Sequence, residues 1–207
     1  MPDTFLLSPA FCSGRRAGML LRVGSTLEIA IRLEAGTLTL GEAFAFLSGL
    51  YFRGKLTYAT VFASAGDRRE AGEVLVITPT RGLLPPSTPV TAALLREFAG
   101  VDLSPEDPRY RAPLERDAEA LRRRLPSGAR VVLLGSIASD KYVAVLSAIF
   151  GCRLHYPADF IGRGDMSRGG LLLRSARAGT PLDCVVLDPS ASRRGARPPK
   201  LAPLAAS

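Results

Sequence analysis

Short apolar runs alternate with stretches of helical periodicity along this chain. We predict strands where a run is short, apolar and followed by polar, Gly or Pro residues: 4–7, 73–78, 130–134 and 152–156, with a further edge strand at 185–187. Apolar side chains at helical spacing predict helices from about Ala17 and over 41–65, 91–98, 114–125 and 140–150. Strands alternating with helices indicate an α/β fold.

Two glycines interrupt the helical pattern over 41–65. The pattern predicts either two helices or one helix broken around residues 51–55, and such a break would present Arg53 and Lys55 to solvent or to a ligand. Residues 49–55 also have the Gly-x-x-x-x-Gly-Lys spacing of a phosphate-binding loop. The next residue is Leu56 instead of the Ser or Thr that binds Mg²⁺, so the sequence disfavours a nucleoside triphosphatase.

Length and composition favour one domain with an extension. The chain has 207 residues, of which 47% are hydrophobic, and this is enough to bury a sizeable core. We assign residues 1–188 to a single α/β domain. Residues 189–207 are rich in Pro, Ala and Arg, a composition that predicts a basic C-terminal tail.

The net charge of +8 is carried almost entirely by arginine, because every basic residue except Lys55, Lys141 and Lys200 is an arginine. Guanidinium groups bind phosphate in a bidentate manner and stack on bases, so a nucleic acid is a suitable partner. The alternative is a solvated surface whose arginines reflect only codon composition.

Cysteine and histidine usage gives no sign of a metal site. Cys12, Cys152 and Cys184 are far apart, and His155 is the only histidine, so neither a disulfide framework nor a metal-ligand spacing can be derived. No signal peptide or uninterrupted membrane span is evident. We therefore expect a cytoplasmic protein without a metal, a cofactor or a membrane partner.

The segment 130–174 carries the densest set of polar residues at turns after predicted strands, where open α/β sheets bind ligands. Asp159 and Asp165 lie here among arginines and the glycines of a predicted loop over 162–170. A nearby guanidinium would keep such a carboxylate ionised, so that it could orient water or stabilise an oxocarbenium-like cation. Alternatively, either aspartate pairs with Arg163 or Arg168 and only holds the loop.

Residues 131–146, VVLLGSIASDKYVAVL, resemble the third strand and following helix of the uracil-DNA glycosylase superfamily. Residues 153–173, RLHYPADFIGRGDMSRGGLLL, occupy the place of the second motif of that family, a His-Pro-Ser signature before a helix. Two departures argue against ordinary uracil excision. Residues 8–16, SPAFCSGRR, contain no acid where the family has a catalytic Asp or Asn, and His155 is followed by Tyr156 before the proline.

The resemblance implies a three-layer α/β/α fold around a central, mainly parallel four-stranded sheet. It further implies a DNA glycosylase that hydrolyses the N-glycosidic bond of a modified or non-standard base, in a role that could include defence against phages with hypermodified DNA. Asp159, Asp165 and His155 are then the catalytic candidates, although His155 could equally make a structural hydrogen bond. Phe11, Tyr51 and Tyr156 would line the base pocket.

DNA would be bound by basic and polar residues at the ends of the strands and in the neighbouring turns. These candidates are Arg15, Arg16, Arg53, Lys55, Arg81, Ser136, Lys141, Arg163, Ser167 and Arg168, and the tail over 193–200 would add non-specific affinity. Two alternatives stay open: a non-catalytic nucleic-acid-binding module, and a hydrolase that acts on a free nucleotide or nucleoside. The sequence does not indicate the oligomeric state.

Overall fold

One sheet and its connecting helices make up the described chain. The computed structural model describes residues 3–64, 72–138, 140–191, 195–199 and 201. In these ranges the strands are β1 (Thr4–Leu7), β2 (Val74–Thr78), β3 (Gly82–Leu84), β4 (Val131–Leu134), β5 (Leu154–Pro157) and β6 (Cys184–Val186). The helices are α1 (Arg15–Leu20), α2 (Glu28–Glu34), α3 (Leu40–Ser48), α4 (Leu50–Ala63), α5 (Ala92–Ala99), α6 (Pro108–Arg124), α7 (Asp140–Phe150) and α8 (Asp165–Ala178), with short 3-10 turns at Gly151–Arg153 and Ala158–Phe160.

The six-stranded sheet is mixed and has the strand order β3-β2-β1-β4-β5-β6. The inner strands β2, β1, β4 and β5 run parallel, and the edge strands β3 and β6 run antiparallel to their neighbours. The α/β class is confirmed, whereas the expectation of four strands is wrong. The edge strand expected at 185–187 is β6. The unforeseen strand, β3, has only 3 residues, too few for a periodic pattern to reveal it.

The two central strands form the middle of the core. All side chains of β1 and β4 are buried along the full length of both strands. A parallel strand covered on both faces has no solvent side and therefore reads as a continuous apolar run. This explains why TFLL and VVLL show little alternation and were recognisable as strands from the sequence.

The break in the apolar segment 41–65 lies at Gly49. This residue has φ of 62°, a conformation that favours glycine, and it ends α3 directly before α4 begins. The expected break at residues 51–55 is wrong, because those residues lie inside α4. The same finding excludes a phosphate-binding loop, since residues 50–55 are helical and Gly49 follows a helix instead of a strand.

Helices α4 and α8 cross at a contact between glycines. A Cβ atom on Gly54 would lie 2.6 Å from the carbonyl oxygen of Gly169, and a Cβ on Gly169 would lie 2.8 Å from that of Leu50. The two backbones can approach this closely only because both positions lack a side chain. The loop predicted over 162–170 is therefore shorter than expected: α8 begins at Asp165, and Gly169 and Gly170 are helical.

The described part of the C-terminal segment lies against the loop that precedes α8. A Cβ on Gly162 would lie 2.1 Å from the carbonyl oxygen of Ala196, and a Cβ on Gly195 would lie 2.5 Å from Cγ2 of Ile161. Leu201 approaches Gly170 of α8. Arg193, Arg194 and Lys200, which belong to the predicted basic tail, lie outside the described residues.

Candidate functional site

A cavity of about 490 Å³ opens at the carboxyl ends of β1 and β4. From β1 the chain leads to β2 on one side, while β4 pairs with the other side of β1. Where strand order reverses in this way, the loops leave neighbouring strands in opposite directions and a crevice forms between them. Here the crevice is lined by residues 8–13 after β1, by Ser136 after β4, and by side chains of α4, α7 and α8.

Several residues selected from the sequence meet at this cavity, namely Phe11, Tyr51, Ser136, Lys141 and Asp165. Phe11 is 74% exposed, while Tyr51 is only 5% exposed. The Lys141 side chain is exposed, and its backbone carbonyl accepts a hydrogen bond of 2.8 Å from the Tyr110 hydroxyl, which ties α7 to α6. The cavity thus combines aromatic rings and hydroxyls with one cation, Lys141, and with two carboxylates, those of Asp165 and Asp102.

Lys55 lies beneath the cavity and is only 1% exposed. Its Nζ is 2.8 Å from the Ser8 hydroxyl and 2.6 Å from the Ser8 carbonyl oxygen, and it lies 4.5 Å from the centre of the Tyr51 ring. Among the described residues, no carboxylate forms an ion pair with it. The expectation that Lys55 faces solvent or DNA phosphates from the surface is therefore wrong.

Burial controls the protonation of this lysine. The loss of hydration lowers the pKa of Lys55 to about 7, and the negative charge of Asp165 opposes this shift only in part. A buried ammonium without a carboxylate partner is costly, so the neutral amine is populated at neutral pH. Lys55 can therefore accept a proton where an exposed lysine would stay charged.

Two buried tyrosines, Tyr51 and Tyr142, line the cavity above Lys55. Burial raises the pKa of Tyr51 and the pKa of Tyr142, so both phenols stay protonated at neutral pH. A hydrogen bond with Ser8 acts in the opposite direction on Tyr142. The Tyr51 hydroxyl is buried, and no described residue accepts its proton, although the Arg168 guanidinium lies near enough to lower its pKa in part. It is therefore a donor without an acceptor at the wall of a cavity.

Asp165 is the first residue of α8, and its side chain is 66% exposed. The nearest cation is the buried guanidinium of Arg168, whose Nη1 is 3.5 Å from Asp165 Oδ1. Arg168 donates mainly to the carbonyl oxygen of Phe160, from Nε at 3.3 Å and from Nη2 at 3.1 Å. Arg168 therefore fastens the turn before α8, and the carboxylate of Asp165 stays accessible from the cavity.

Three selected residues lie apart from the cavity. Asp159 is exposed in the 3-10 turn Ala158–Phe160, and Tyr156 is buried within β5. His155 also belongs to β5, where its Nδ1 is 3.0 Å from the carbonyl oxygen of Arg153. None of these three lines the cavity at the ends of β1 and β4.

Two arginine-lined grooves flank the cavity. One groove of about 950 Å³ is lined by Arg16, Arg32 and Arg53 together with Glu28 and Glu42, and it shares Ser48 with the cavity. Arg32 pairs with Glu42 at 2.8 Å, which leaves Arg16 and Arg53 as the cations of this groove without a carboxylate partner among the described residues. The other, of about 640 Å³, is lined by cationic and polar residues and shares Asp165 with the cavity. Its members selected from the sequence are Arg163 and Ser167, joined here by Arg174 and Arg197.

The remaining selected cations are placed differently. Arg15 is exposed at the start of α1. Arg81 lies in the turn between β2 and β3, where its Nη2 is 2.6 Å from a carboxylate oxygen of Glu97 on α5. Its charge is thus neutralised by a neighbour and is not directed at the cavity.

The sequence reasoning missed Ser8 as a functional candidate. Ser8 is the first residue after β1, and its backbone N donates to Leu134 of β4 at 3.1 Å. The rule applied to the loops after the later strands, that polar residues directly after a parallel strand face the ligand, would have selected it. Its contact with Lys55 joins residues 47 positions apart and could be seen only in the folded chain.

Comparisons with known proteins give no indication of function, so a functional proposal for this chain is based on the geometry of the cavity. No protein-family model matches the chain, and searches of curated proteins and of solved structures also give no match. Among the described residues, no helix combines the length and apolar character needed to cross a membrane. Within the same residues, no group of three His, Cys, Asp or Glu side chains is placed to hold a metal ion.

Proposed function

We propose that this protein is a DNA glycosylase-like enzyme that hydrolyses the N-glycosidic bond of a modified or non-standard base. The observation that carries the proposal is the position of Asp165. Its accessible carboxylate borders a cavity that also contains Phe11, Tyr51 and Ser136, and the cavity lies between two arginine-lined grooves. Aromatic faces, a carboxylate and phosphate-binding cations are the groups that base excision needs.

Base recognition would take place inside the cavity. An enzyme that cleaves at a base must first rotate the nucleotide out of the stack and hold it in a pocket. Phe11 is exposed at the cavity and offers a face for stacking, and Tyr51 offers a second ring deeper inside. The hydroxyls of Ser136 and Tyr142 can donate to the edge of the base or accept from it.

Asp165 would supply the chemistry. Cleavage of an N-glycosidic bond develops positive charge on the sugar, and an ionised carboxylate stabilises that charge or orients the attacking water. Asp159 and His155 lie apart from the cavity, so the proposal assigns the catalytic role to Asp165 alone.

The grooves on either side would hold the DNA backbone. Arg16 and Arg53 in one groove, and Arg163 and Arg197 in the other, are placed to bind phosphates on both sides of a rotated nucleotide. An α/β fold with four parallel inner strands is compatible with the three-layer α/β/α arrangement that the sequence resemblance implies. A role in defence against phages with hypermodified DNA would follow if the preferred base is a phage-type modification.

The test is incubation of the purified protein with unmodified, uracil-containing and phage-type hypermodified DNA. Mass spectrometry detects a released base, and alkali cleavage detects abasic sites. We expect the wild-type protein to release a base from one of these DNA classes. In Asp165→Asn the rate of base release should fall by about 100-fold or more, the usual effect of losing a group that stabilises charge or transfers a proton, while DNA binding is retained. Asp159→Asn is the matched comparison, because it changes a carboxylate outside the cavity and should leave release unchanged.

The other outcomes separate the alternatives. Salt-dependent DNA binding without release of any base would favour a non-catalytic binding module. Turnover of a free nucleotide or nucleoside in the absence of DNA would favour a hydrolase for small substrates. Base release that is abolished by Asp159→Asn and unaffected by Asp165→Asn would contradict the assignment of the catalytic carboxylate.

A further inference from the structure

Ser8 and Lys55 form a hydrogen-bonded pair that base excision by Asp165 does not use. We propose that Ser8 is a nucleophile, that Lys55 is its general base, and that the pair transfers the acyl group of a carboxylic ester bound in the cavity. This activity goes beyond the proposed glycosylase function and does not depend on it. The substrate class is a carboxylic ester whose acyl group fits in the cavity of about 490 Å³.

The position of Ser8 suits a nucleophile. Ser8 follows β1 directly and lines the cavity at the point where the strand order reverses. Its backbone is held by the hydrogen bond to Leu134. Gly135 packs against it so closely that a Cβ added to Gly135 would lie 2.9 Å from the Cβ of Ser8. The hydroxyl is thus fixed on rigid strand ends, which gives a reacting group the defined geometry it needs.

The position of Lys55 suits a base. Nζ lies 2.8 Å from Ser8 Oγ, within the range required for direct proton transfer. The second hydrogen bond, to the Ser8 carbonyl oxygen at 2.6 Å, occupies one N–H and fixes the orientation of the amine. A neutral lysine held in this way accepts the hydroxyl proton of Ser8. The lowered pKa of Lys55 supports the same assignment.

A second, independent observation points to a ligand at the same place. The Tyr51 hydroxyl is buried in the cavity wall, where the Arg168 guanidinium can donate to it but no described residue accepts its proton, although buried hydroxyls normally find an acceptor. Lys55 Nζ lies 4.5 Å from the centre of the Tyr51 ring, so this phenol and Ser8 share one neighbour. An oxyanion formed on a carbonyl attacked by Ser8 would provide the acceptor that the phenol lacks.

The reaction balances with water as the only co-substrate. Ser8 Oγ forms a bond to the acyl carbon while its proton passes to Lys55, and the intermediate expels the alcohol, which takes that proton. Water then attacks the acyl-serine and gives a proton to Lys55. The bond from Oγ to carbon breaks, Oγ takes the proton back, and the carboxylic acid is released.

The first experiment uses a reagent specific for activated serines and needs no DNA. The intact protein is incubated with an alkyl fluorophosphonate, which forms an O–P bond with the serine as fluoride leaves, and the labelled peptide is identified by mass spectrometry. We expect one adduct, on Ser8. We also expect Lys55→Met to slow labelling by about 100-fold or more, as for the loss of a general base. Ser147→Ala, which alters a helical serine outside the cavity, should label at the wild-type rate.

The pH dependence of labelling, measured on the wild-type protein, keeps the test valid if Lys55→Met fails to fold. The charged and titratable groups around Lys55 are Tyr51 on the same helix, Tyr142 on α7, and Asp165 and Arg168 on α8, with the buried Cys12 thiol in the loop after β1. Burial holds the Tyr51, Tyr142 and Cys12 groups protonated near neutrality, so Lys55 controls the profile. The rate should rise with pH to a plateau, with a midpoint near 7.

Hydrolysis of p-nitrophenyl acetate gives the second readout. A burst of p-nitrophenol followed by a slower steady rate would reveal the acyl-serine, and Ser8→Ala should remove the burst. The proposal is overturned if wild-type protein is not labelled, is labelled on another residue, or is labelled at the same rate in a folded Lys55→Met variant. Because no nucleic acid takes part, these outcomes are independent of whether any DNA base is released.

Discussion

The floor of the cavity and the surface of α5 each contact a basic residue that the sequence marks as a phosphate-binding candidate, and the fold uses these two residues in opposite ways. On the floor, Lys55 is almost completely buried and contacts hydroxyl, carbonyl and aromatic groups. At the surface of α5, the side chain of Arg81, which belongs to the turn between β2 and β3, is 55% exposed and lies against the Glu97 carboxylate. Lys55 and Arg81 thus differ in what their surroundings do to the charge of the side chain.

The difference follows from the chemistry of the two cations. A guanidinium keeps its proton at any ordinary pH, so an arginine needs either solvent or an anionic partner. An amine can lose its proton, and a lysine can therefore be buried without a carboxylate if it becomes neutral. Arginine is suited to exposed grooves, whereas Lys55, the one buried lysine among the described residues, is suited to proton transfer. The chemistry proposed for the cavity floor thus depends on a group that is costly to charge.

The largest effect should come from removing this buried amine. The ordinary pKa of Lys55 is 10.5 and the folded pKa is about 7, so between these values the unfolded chain binds a proton that the folded chain does not. Stability from this group is fully present above 10.5 and is lost as the pH falls towards 7. Relative to Lys55→Met, the wild type should lose about 1.4 kcal/mol of unfolding free energy for each unit by which the pH falls in this window.

Urea unfolding of both proteins at several pH values between 6 and 10 measures this difference. At pH 6 to 7 the methionine variant should be the more stable protein, since it no longer buries a charge, although it loses two hydrogen bonds to Ser8. Parallel pH profiles for the two proteins would show that Lys55 stays charged in the folded state. In that case the contrast between the cavity floor and the α5 surface would fail.

A smaller effect should follow from separating α4 from α8. These helices place Lys55 opposite Asp165, and their contact depends on Gly169, where a Cβ would lie 2.8 Å from backbone atoms of Leu50 and Tyr51. Backbone atoms cannot move aside as a flexible side chain can, so the helices must shift. We expect Gly169→Ala to lower the unfolding free energy by about 2–3 kcal/mol.

The neighbouring glycine on the same helix is the control for this substitution. At Gly170 the nearest atom to an added Cβ is Leu201 Cδ1 at 3.5 Å, which is an ordinary contact. Gly170→Ala should be neutral or stabilising by about 0.5–1 kcal/mol, because alanine is the better helix former. Equal effects at both positions would mean that the close helix contact does not determine the stability of this region.

The elements of the fold were largely predictable because the two central strands, β1 and β4, are buried apolar runs. The break between α3 and α4 was harder to place, since Gly49 and Gly54 are equally good helix breakers by sequence. Gly49 adopts positive φ and ends a helix, while Gly54 stays helical and admits the backbone of Gly169. A sequence shows that a glycine is present but does not show which of these two properties the fold uses.

The site was predictable where it depends on strand ends and unpredictable where it depends on packing between distant elements. Asp165, Ser136 and Lys141 follow from the rule that ligands bind at the carboxyl ends of parallel strands. The burial of Lys55 does not follow from any local signal, because lysine is almost always exposed. Only the packing of α4 against β1 and α8 brings its amine to Ser8.

The smallest effect should come from the exposed ion pair that joins the turn before β3 to α5. Arg81 and Glu97 form a bidentate ion pair, and the same contact holds the pKa of Glu97 below its usual value. Solvent and salt screen such a pair, so Arg81→Gln should shift the melting temperature by less than about 3 °C. The shift should shrink further in 0.5 M salt, measured as the difference from wild type in the same buffer.

Glu97→Gln and the double variant complete a cycle that isolates the interaction between the two side chains. Thr80 also contacts the Glu97 carboxylate, so the single Glu97 variant removes two contacts and the cycle is needed to separate them. A salt-independent coupling as large as the effect of Lys55→Met would show that this surface also holds a poorly solvated charge. Burial would then not explain why the Lys55 amine is suited to proton transfer and the Arg81 guanidinium is not.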